Sequence, residues 1–149
     1  MLCRISIGLT PHHCVSWPDV KVGIDDSVLY QGTLVVPIEL DQDLYLDEGK
    51  HVLWVSLSGK GNANSGTDSD QAIQIDSISF EGMTADRFIW AGIYEPEYPE
   101  PWYSQQQIKP GRYMHEVTYL GFNGTWRLEF STPIFRWIHE IEHLGWIYD

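Results

Sequence analysis

The sequence predicts an all-β protein: an antiparallel, jelly-roll-like β-sandwich with a proline- and aromatic-rich extended arm and a short C-terminal α-helix. Three observations predict it. Apolar and polar residues alternate with period two in several short segments, the pattern of half-buried strands. Turn residues punctuate those segments at short intervals, as in sandwiches and barrels. Residues 51–58 and 71–80 form two long apolar segments on either side of a Gly/Asn/Ser/Asp loop with no hydrophobic pattern.

In chain order, Ile5, Ile7 and Leu9 alternate with Arg4, Ser6 and Gly8, a first strand with one buried face. Val20, Val22 and Ile24 repeat the pattern against Lys21 and Gly23, Asp25, Asp26 and Ser27 make a turn, and residues 28–30 return. Leu34, Val36, Ile38 and Leu40 read as another strand, whose Pro37 cannot donate a ladder hydrogen bond and favours an edge or a bulge. Residues 46–50 read as a hairpin turn into the next strand. In that strand Leu53, Val55 and Leu57 share one face while Val52 and Trp54 make the other apolar too, which predicts a central position. Beyond the loop, Ile73 and Ile75 lie on one face but Ile78 and Phe80 on the opposite one. This change of phase predicts a β-bulge near Asp76 and Ser77.

Past Met83, residues 87–93 are expected to form a strand, followed by an arm over 94–112. Its YEPEYPEPWY stretch has three prolines in ten residues, which exclude helix and discourage sheet. A solvated linker would be polar, yet this one holds Tyr94, Tyr98, Trp102 and Tyr103. Either it drapes over its own sandwich and buries those rings, or it presents them to a neighbour or ligand. Residues 117–120 and 126–130 read as a closing hairpin around Gly121 and Gly124. Thr132 as cap and Pro133 at the first position start a helix over 133–146, with Ile134, Trp137, Ile138 and Ile141 as its apolar stripe.

The 149 residues are expected to form one domain, 1–149, able to bury about two thirds of the unfolded chain's surface. A net charge of -12 disfavours nucleic acid and anionic membranes, and no apolar run approaches the ~18 residues of a span. Seven Trp and eight Tyr are many for this size and suit a core or an interface. The MLCRISIGL start is too short for a signal peptide and lacks a small-residue cleavage site, so no export is expected.

Several motifs offer metal chemistry. Cys3 and Cys14 are expected to be reduced rather than bridged, and the neighbouring His12 and His13 lack the paired, regular spacing of a structural zinc site. His139 to His143 spell H-E-x-x-H, the spacing that places two imidazoles one turn apart around zinc with Glu140 as base. Here the apolar stripe at 134, 137, 138 and 141 assigns Arg136, His139, Glu140 and His143 to the polar face of an ordinary amphipathic helix. Asp149 is the one carboxylate left downstream for a third ligand. Asn62, Asn64, Asp68 and Asp70 offer calcium-type oxygen donors in an order unlike an EF-hand. No metal and no cofactor are therefore expected, and no nucleophile or nucleotide fingerprint points to an enzyme.

Two resemblances follow from these residues. Gly49, His51, Leu53 and Val55, the polar loop, and the D-x-A-I-x-I-D-x-I-x-F-x-G run over 70–82 resemble accessory β-sandwich modules of polysaccharide-degrading enzymes, including calcium-dependent xylan-binding ones. The wider order of WPDVKV from Trp17, the YEPEYPEPW arm from Tyr94, and GFNGTWRLEF over 121–130 resembles small structural proteins of tailed bacteriophages of marine and cyanobacterial hosts. That resemblance implies a non-enzymatic virion protein, a capsid decoration or tail-associated subunit assembled in the host cytoplasm. Its partners would be other virion proteins or itself, docked through Tyr94, Tyr98, Trp102 and Tyr103. The first resemblance implies the alternative, a carbohydrate-binding module in which the same rings stack on sugar; neither implies nucleic acid or membrane.

Overall fold

A computed structural model describes residues 2–12, 17–58, 72–98 and 102–141. Eleven strands fill most of that chain: β1 (Leu2–His12), β2 (Asp19–Ile24), β3 (Ser27–Thr33), β4 (Ile38–Tyr45), β5 (Gly49–Ser58), β6 (Ala72–Phe80), β7 (Met83–Thr84), β8 (Ile93–Pro96), β9 (Met114–His115), β10 (Tyr119–Leu120) and β11 (Gly124–Thr132). Three short helices, α1 (Asp86–Trp90), α2 (Trp102–Gln105) and α3 (Ile134–Ile141), complete the described elements. One sheet runs β10-β6-β1-β4, with β7 also on β6; the other runs β3-β2-β5-β11-β8-β9. Every pairing is antiparallel. The expected β-sandwich is the fold.

Alternation in the strands builds the core. Ile5, Ile7 and Leu9 face Leu53, Val55 and Leu57 across one continuous apolar cluster, with Val20, Val22, Trp126, Leu128 and Phe130 beside them. The bulge falls where the change of phase put it. Gly8 pairs with Ser77 and Leu9 with Ile75, so Asp76 is the extra residue, and Ile73, Ile75, Ile78 and Phe80 all reach the core. Thr10 holds the displaced Asp76 by a 2.5 Å hydrogen bond from its hydroxyl. Strand β5 is central, between β2 and β11.

Four expectations about the strands are corrected. Residues 46–48 join β4 of one sheet to β5 of the other and make no hairpin. Likewise β10 pairs with β6 while β11 pairs with β5 and β8, so 121–123 cross between sheets. Inward-facing residues alternate identically whichever sheet a strand joins, so the pattern could not tell hairpin from crossover. Leu34 and Val36 precede the strand rather than lie in it. Leu34 is buried and its N–H donates to the Pro18 carbonyl, Val36 is exposed, and the edge strand β4 starts only after Pro37. Residues 87–93 are divided between α1, which turns Phe88 onto the core, and β8.

Helix α3 docks as its stripe demands: Ile134 and Ile138 are buried, and Trp137 and Ile141 pack on the core. Its start differs from expectation. The helix begins at Ile134, and the Pro133 carbonyl already accepts from the Trp137 N–H. Thr132 is turned inward instead of capping, its hydroxyl donating to the Asp47 carbonyl at 2.6 Å and accepting from the Gly49 N–H at 3.1 Å.

Phe80 is the hub beneath this helix, with ring centroids 5.3 Å from Phe88, 5.1 Å from Phe130 and 5.2 Å from Trp137. Truncating a ring so enclosed forfeits both its burial and its edge-to-face contacts. Phe80→Ala is expected to cost about 3–5 kcal/mol in urea unfolding, whereas Val36→Ala, at an exposed position, should stay within about 0.5 kcal/mol of the parent.

Candidate functional site

The pleat that sends Leu53, Val55 and Leu57 inward sends Val52, Trp54 and Ser56 to the outer face of the second sheet. Trp54 pairs across with Gly23 on β2 and Arg127 on β11. A Cβ at position 23 would lie 2.3 Å from the indole Cζ2, so the missing side chain is what lets the ring lie across β2. The indole N–H donates to the Asp25 carbonyl at 2.9 Å, which fixes the ring's rotation.

Asp25, in the turn after β2 at φ 52°, ties this corner together. Its Oδ1 accepts from the Val52 N–H at 2.9 Å and its Oδ2 lies 2.7 Å from His51 Nδ1. The other imidazole nitrogen, Nε2, lies 2.6 Å from the Asp47 carbonyl. Two acceptors at these distances call for a donor on each nitrogen, which is the imidazolium. Burial opposes that charge, but the bonds to Asp25 and Asp47 outweigh it and raise the His51 pKa. An open groove of about 530 Å³ runs here between Asp25, Asp26, Trp54, Thr125 and Arg127.

A second groove of about 560 Å³ adjoins it, lined by Ile93, Glu95, Arg112, Tyr113, Arg127 and Glu129. Glu95 sits between two guanidiniums, with Arg112 Nε donating to Oε2 at 2.8 Å and Arg127 Nη1 to Oε1 at 3.2 Å. The Arg112 bond, reinforced by Arg127, holds the Glu95 carboxyl below the usual range. Gly124 at φ 148° makes this cluster possible: a Cβ there would lie 2.3 Å from the Glu95 carbonyl, so only glycine lets β8 come this close to β11. Each guanidinium commits one nitrogen to Glu95; Arg112 also bonds the Tyr113 side chain, and the planar fork of Arg127 has further donors to offer.

The face thus combines an indole clamped by backbone, a half-exposed tyrosine, and paired donors and acceptors. Such a surface suits a ligand with flat apolar faces and hydroxyl rims. Among the described residues, no three His, Cys, Asp or Glu side chains gather as a metal set.

Of the aromatic residues expected to bind, Tyr94 lies in the core and Tyr98 and Tyr103 pack on each other. Tyr94 is 1% exposed, and its hydroxyl donates to the Phe122 carbonyl while accepting from the Phe122 N–H at 3.1 Å. It is a core residue and cannot stack on a ligand. The reason is β8: Ile93–Pro96 adds to β11, so the start of the arm is sheet and Tyr94 takes an inward position. Tyr98 stacks on Tyr103 (5.5 Å, 12°), meets Phe122 edge-on at 5.1 Å, and donates to the Gly111 carbonyl at 2.7 Å. Those two rings are half-buried against the chain itself, the draped alternative. Trp102 opens α2, so the arm is not extended throughout. The calcium-type loop over 59–70, His13, Cys14 and His143 lie outside the described residues. Cys3 is buried and free, its thiol pushed up to about 11 by burial and Glu81.

Sequence reasoning missed Trp54, Glu95, Arg112, Tyr113 and Arg127. The signal available was Trp54 on the second, apolar face of a strand that the sequence places centrally.

No protein-family model and no curated protein matches the chain. Solved structures do. The chain is similar to the selenomethionine form of vCBM60, described as providing, through circular permutation, an evolutionary link between two families of calcium-dependent carbohydrate-binding modules; the TM-score is 0.52 at 12% identity over 85% of this chain and 89% of that one. It is similar too to vCBM60 in complex with galactobiose, with a TM-score of 0.51 at 13% identity over 86% of this chain and 97% of that one. Identities this low establish a common β-sandwich fold. Neither structure bears on a phage particle, and the virion assignment rests on the sequence resemblance alone.

Two outcomes are expected. Because folding raises the His51 pKa, the protonated imidazole stabilises the fold fully below the unfolded value of about 6.5 and loses that contribution as pH rises through the folded value. Melting temperature should fall over that window, and a His51→Gln variant should show a flatter profile. Tyr98→Ser with Tyr103→Ser should lower the melting temperature, since both rings pack on their own chain; an unchanged temperature would return these rings to the role of docking surface.

Proposed function

We propose that the protein is a non-catalytic carbohydrate-binding module and that it binds sugar on the outer face of the second sheet. One observation carries this: the Trp54 indole is laid over Gly23, locked by its N–H to the Asp25 carbonyl, and flanked by Arg127. A sugar ring presents apolar C–H groups on its faces and hydroxyls on its rim. A preset indole meets the first without losing side-chain entropy on binding, and the Arg127, Glu95 and Asp26 side chains meet the second with directed hydrogen bonds. The fold likeness to vCBM60, one structure of which holds galactobiose, supports the same ligand class.

Affinity electrophoresis and titration calorimetry against galactobiose and soluble galactan, xylan and cellulose derivatives test this. Binding to at least one is expected, lost in Trp54→Ala with no change in fold by circular dichroism. Gly23→Ala, whose methyl would meet both the indole and the Ser27 carbonyl, should weaken binding about tenfold or more, with circular dichroism as the check on fold. Retention of none of these glycans, or a Trp54→Ala protein that binds as the parent does, contradicts the proposal.

A further inference from the structure

We propose that the two grooves form one binding track centred on Arg127, and that its occupant is an internal stretch of a neutral glycan chain lying across the strands. This rests on the carbohydrate proposal above and adds the ligand's length, direction and charge. Arg127 lines both grooves. The strand register sets Ile93, Arg127, Trp54 and Gly23 in one row across β8, β11, β5 and β2, and Glu95, Thr125, Ser56 and Lys21 in the next. Three strand spacings make this row about 14 Å long, room for several pyranose rings in line. Each end carries an aromatic ring: Trp54 near β2, and beyond β8 Tyr113, which is 50% exposed with the Arg112 guanidinium 5.3 Å above it.

Charge selects within the glycans. In the Tyr113 groove Arg112 and Arg127 are balanced by Glu95 and Glu129, and the Trp54 groove adds Asp25 and Asp26. On a chain of net charge -12 this track has no surplus cation for a uronate carboxylate. Guanidinium and carboxylate side by side do match vicinal hydroxyls, which donate to one and accept from the other.

Calorimetry with galactose, galactobiose, galactotriose and galactotetraose, and with tetragalacturonate, tests the track. Affinity is expected to rise about tenfold or more from the dimer to the tetramer, the worth of one or two added contacts. Arg112→Ala with Tyr113→Ala should weaken galactotetraose about tenfold and flatten the dependence on length, with melting temperature as the check on fold. Tetragalacturonate should bind more weakly than galactotetraose. Equal affinity for dimer and tetramer, a double variant that keeps the full length dependence, or tighter binding of the uronate overturns the track while leaving the Trp54 surface intact. Absence of binding to every galacto-oligomer overturns the track, and overturns the Trp54 surface as well only where galactan, xylan and cellulose derivatives are also not bound.

Discussion

The β5–β11 ladder is the constraint on which the rest of the molecule depends. Nine consecutive residue pairs, from Gly49 with Thr132 to Leu57 with Gly124, lock the two strands in one register. Because side chains alternate across a pleated sheet, that register has two consequences at once. Inward, it stacks Leu53, Val55 and Leu57 with Trp126, Leu128 and Phe130 in the centre of the core. Outward, it brings Trp54 beside Arg127 and Ser56 beside Thr125. A one-residue slip would bury Arg127 and expose Trp126, a large penalty on both faces. The hydrophobic effect acting on one side of the sheet therefore sets the geometry of the polar side. A surface built this way needs no separate scaffold.

Local hydrogen bonds refine what the ladder sets. The turn after β2 could swing freely on its own, but Asp25 fastens it to β5 through backbone and side chain together, with its N–H to the Val52 carbonyl and its carboxylate to the Val52 N–H and His51. His51 extends this chain to Asp47, whose carbonyl also takes the Thr132 hydroxyl at the far end of β11. The indole of Trp54 is thus held by the same network that closes the lower end of the sandwich. Preorganisation of this kind reduces the entropy lost on binding, which matters for an exposed ligand with few apolar contacts.

The sandwich was legible wherever period two met a buried face. The central place of β5, the bulge at Asp76 and the stripe of α3 follow from the spacing of Leu53, Val55 and Leu57, of Ile75 and Ile78, and of Ile134 and Ile138. Partners across the sandwich were not legible, because an inward alternation is the same for a hairpin and a crossover. The site was less legible still. The prolines of residues 94–103 discourage sheet and leave a draped arm and a docking surface both open, yet Ile93–Pro96 pairs with β11 as β8. The apolar outer face of β5 predicts a central strand, and only the pairing of Trp54 with a glycine on the next strand lays the indole across the sheet. That pairing is a register fact, invisible until strands β2 and β5 are known to be neighbours.

The most direct measurement is a nitrogen–proton correlation spectrum of the labelled protein titrated with galactotetraose. The Trp54 indole N–H, the Arg127 side chain and the backbone amides of β5, β11 and β8 should move together and saturate at one sugar per chain. Shifts confined to the opposite sheet around Arg4 and Asp41, or to residues 59–71, would contradict the placement of the site.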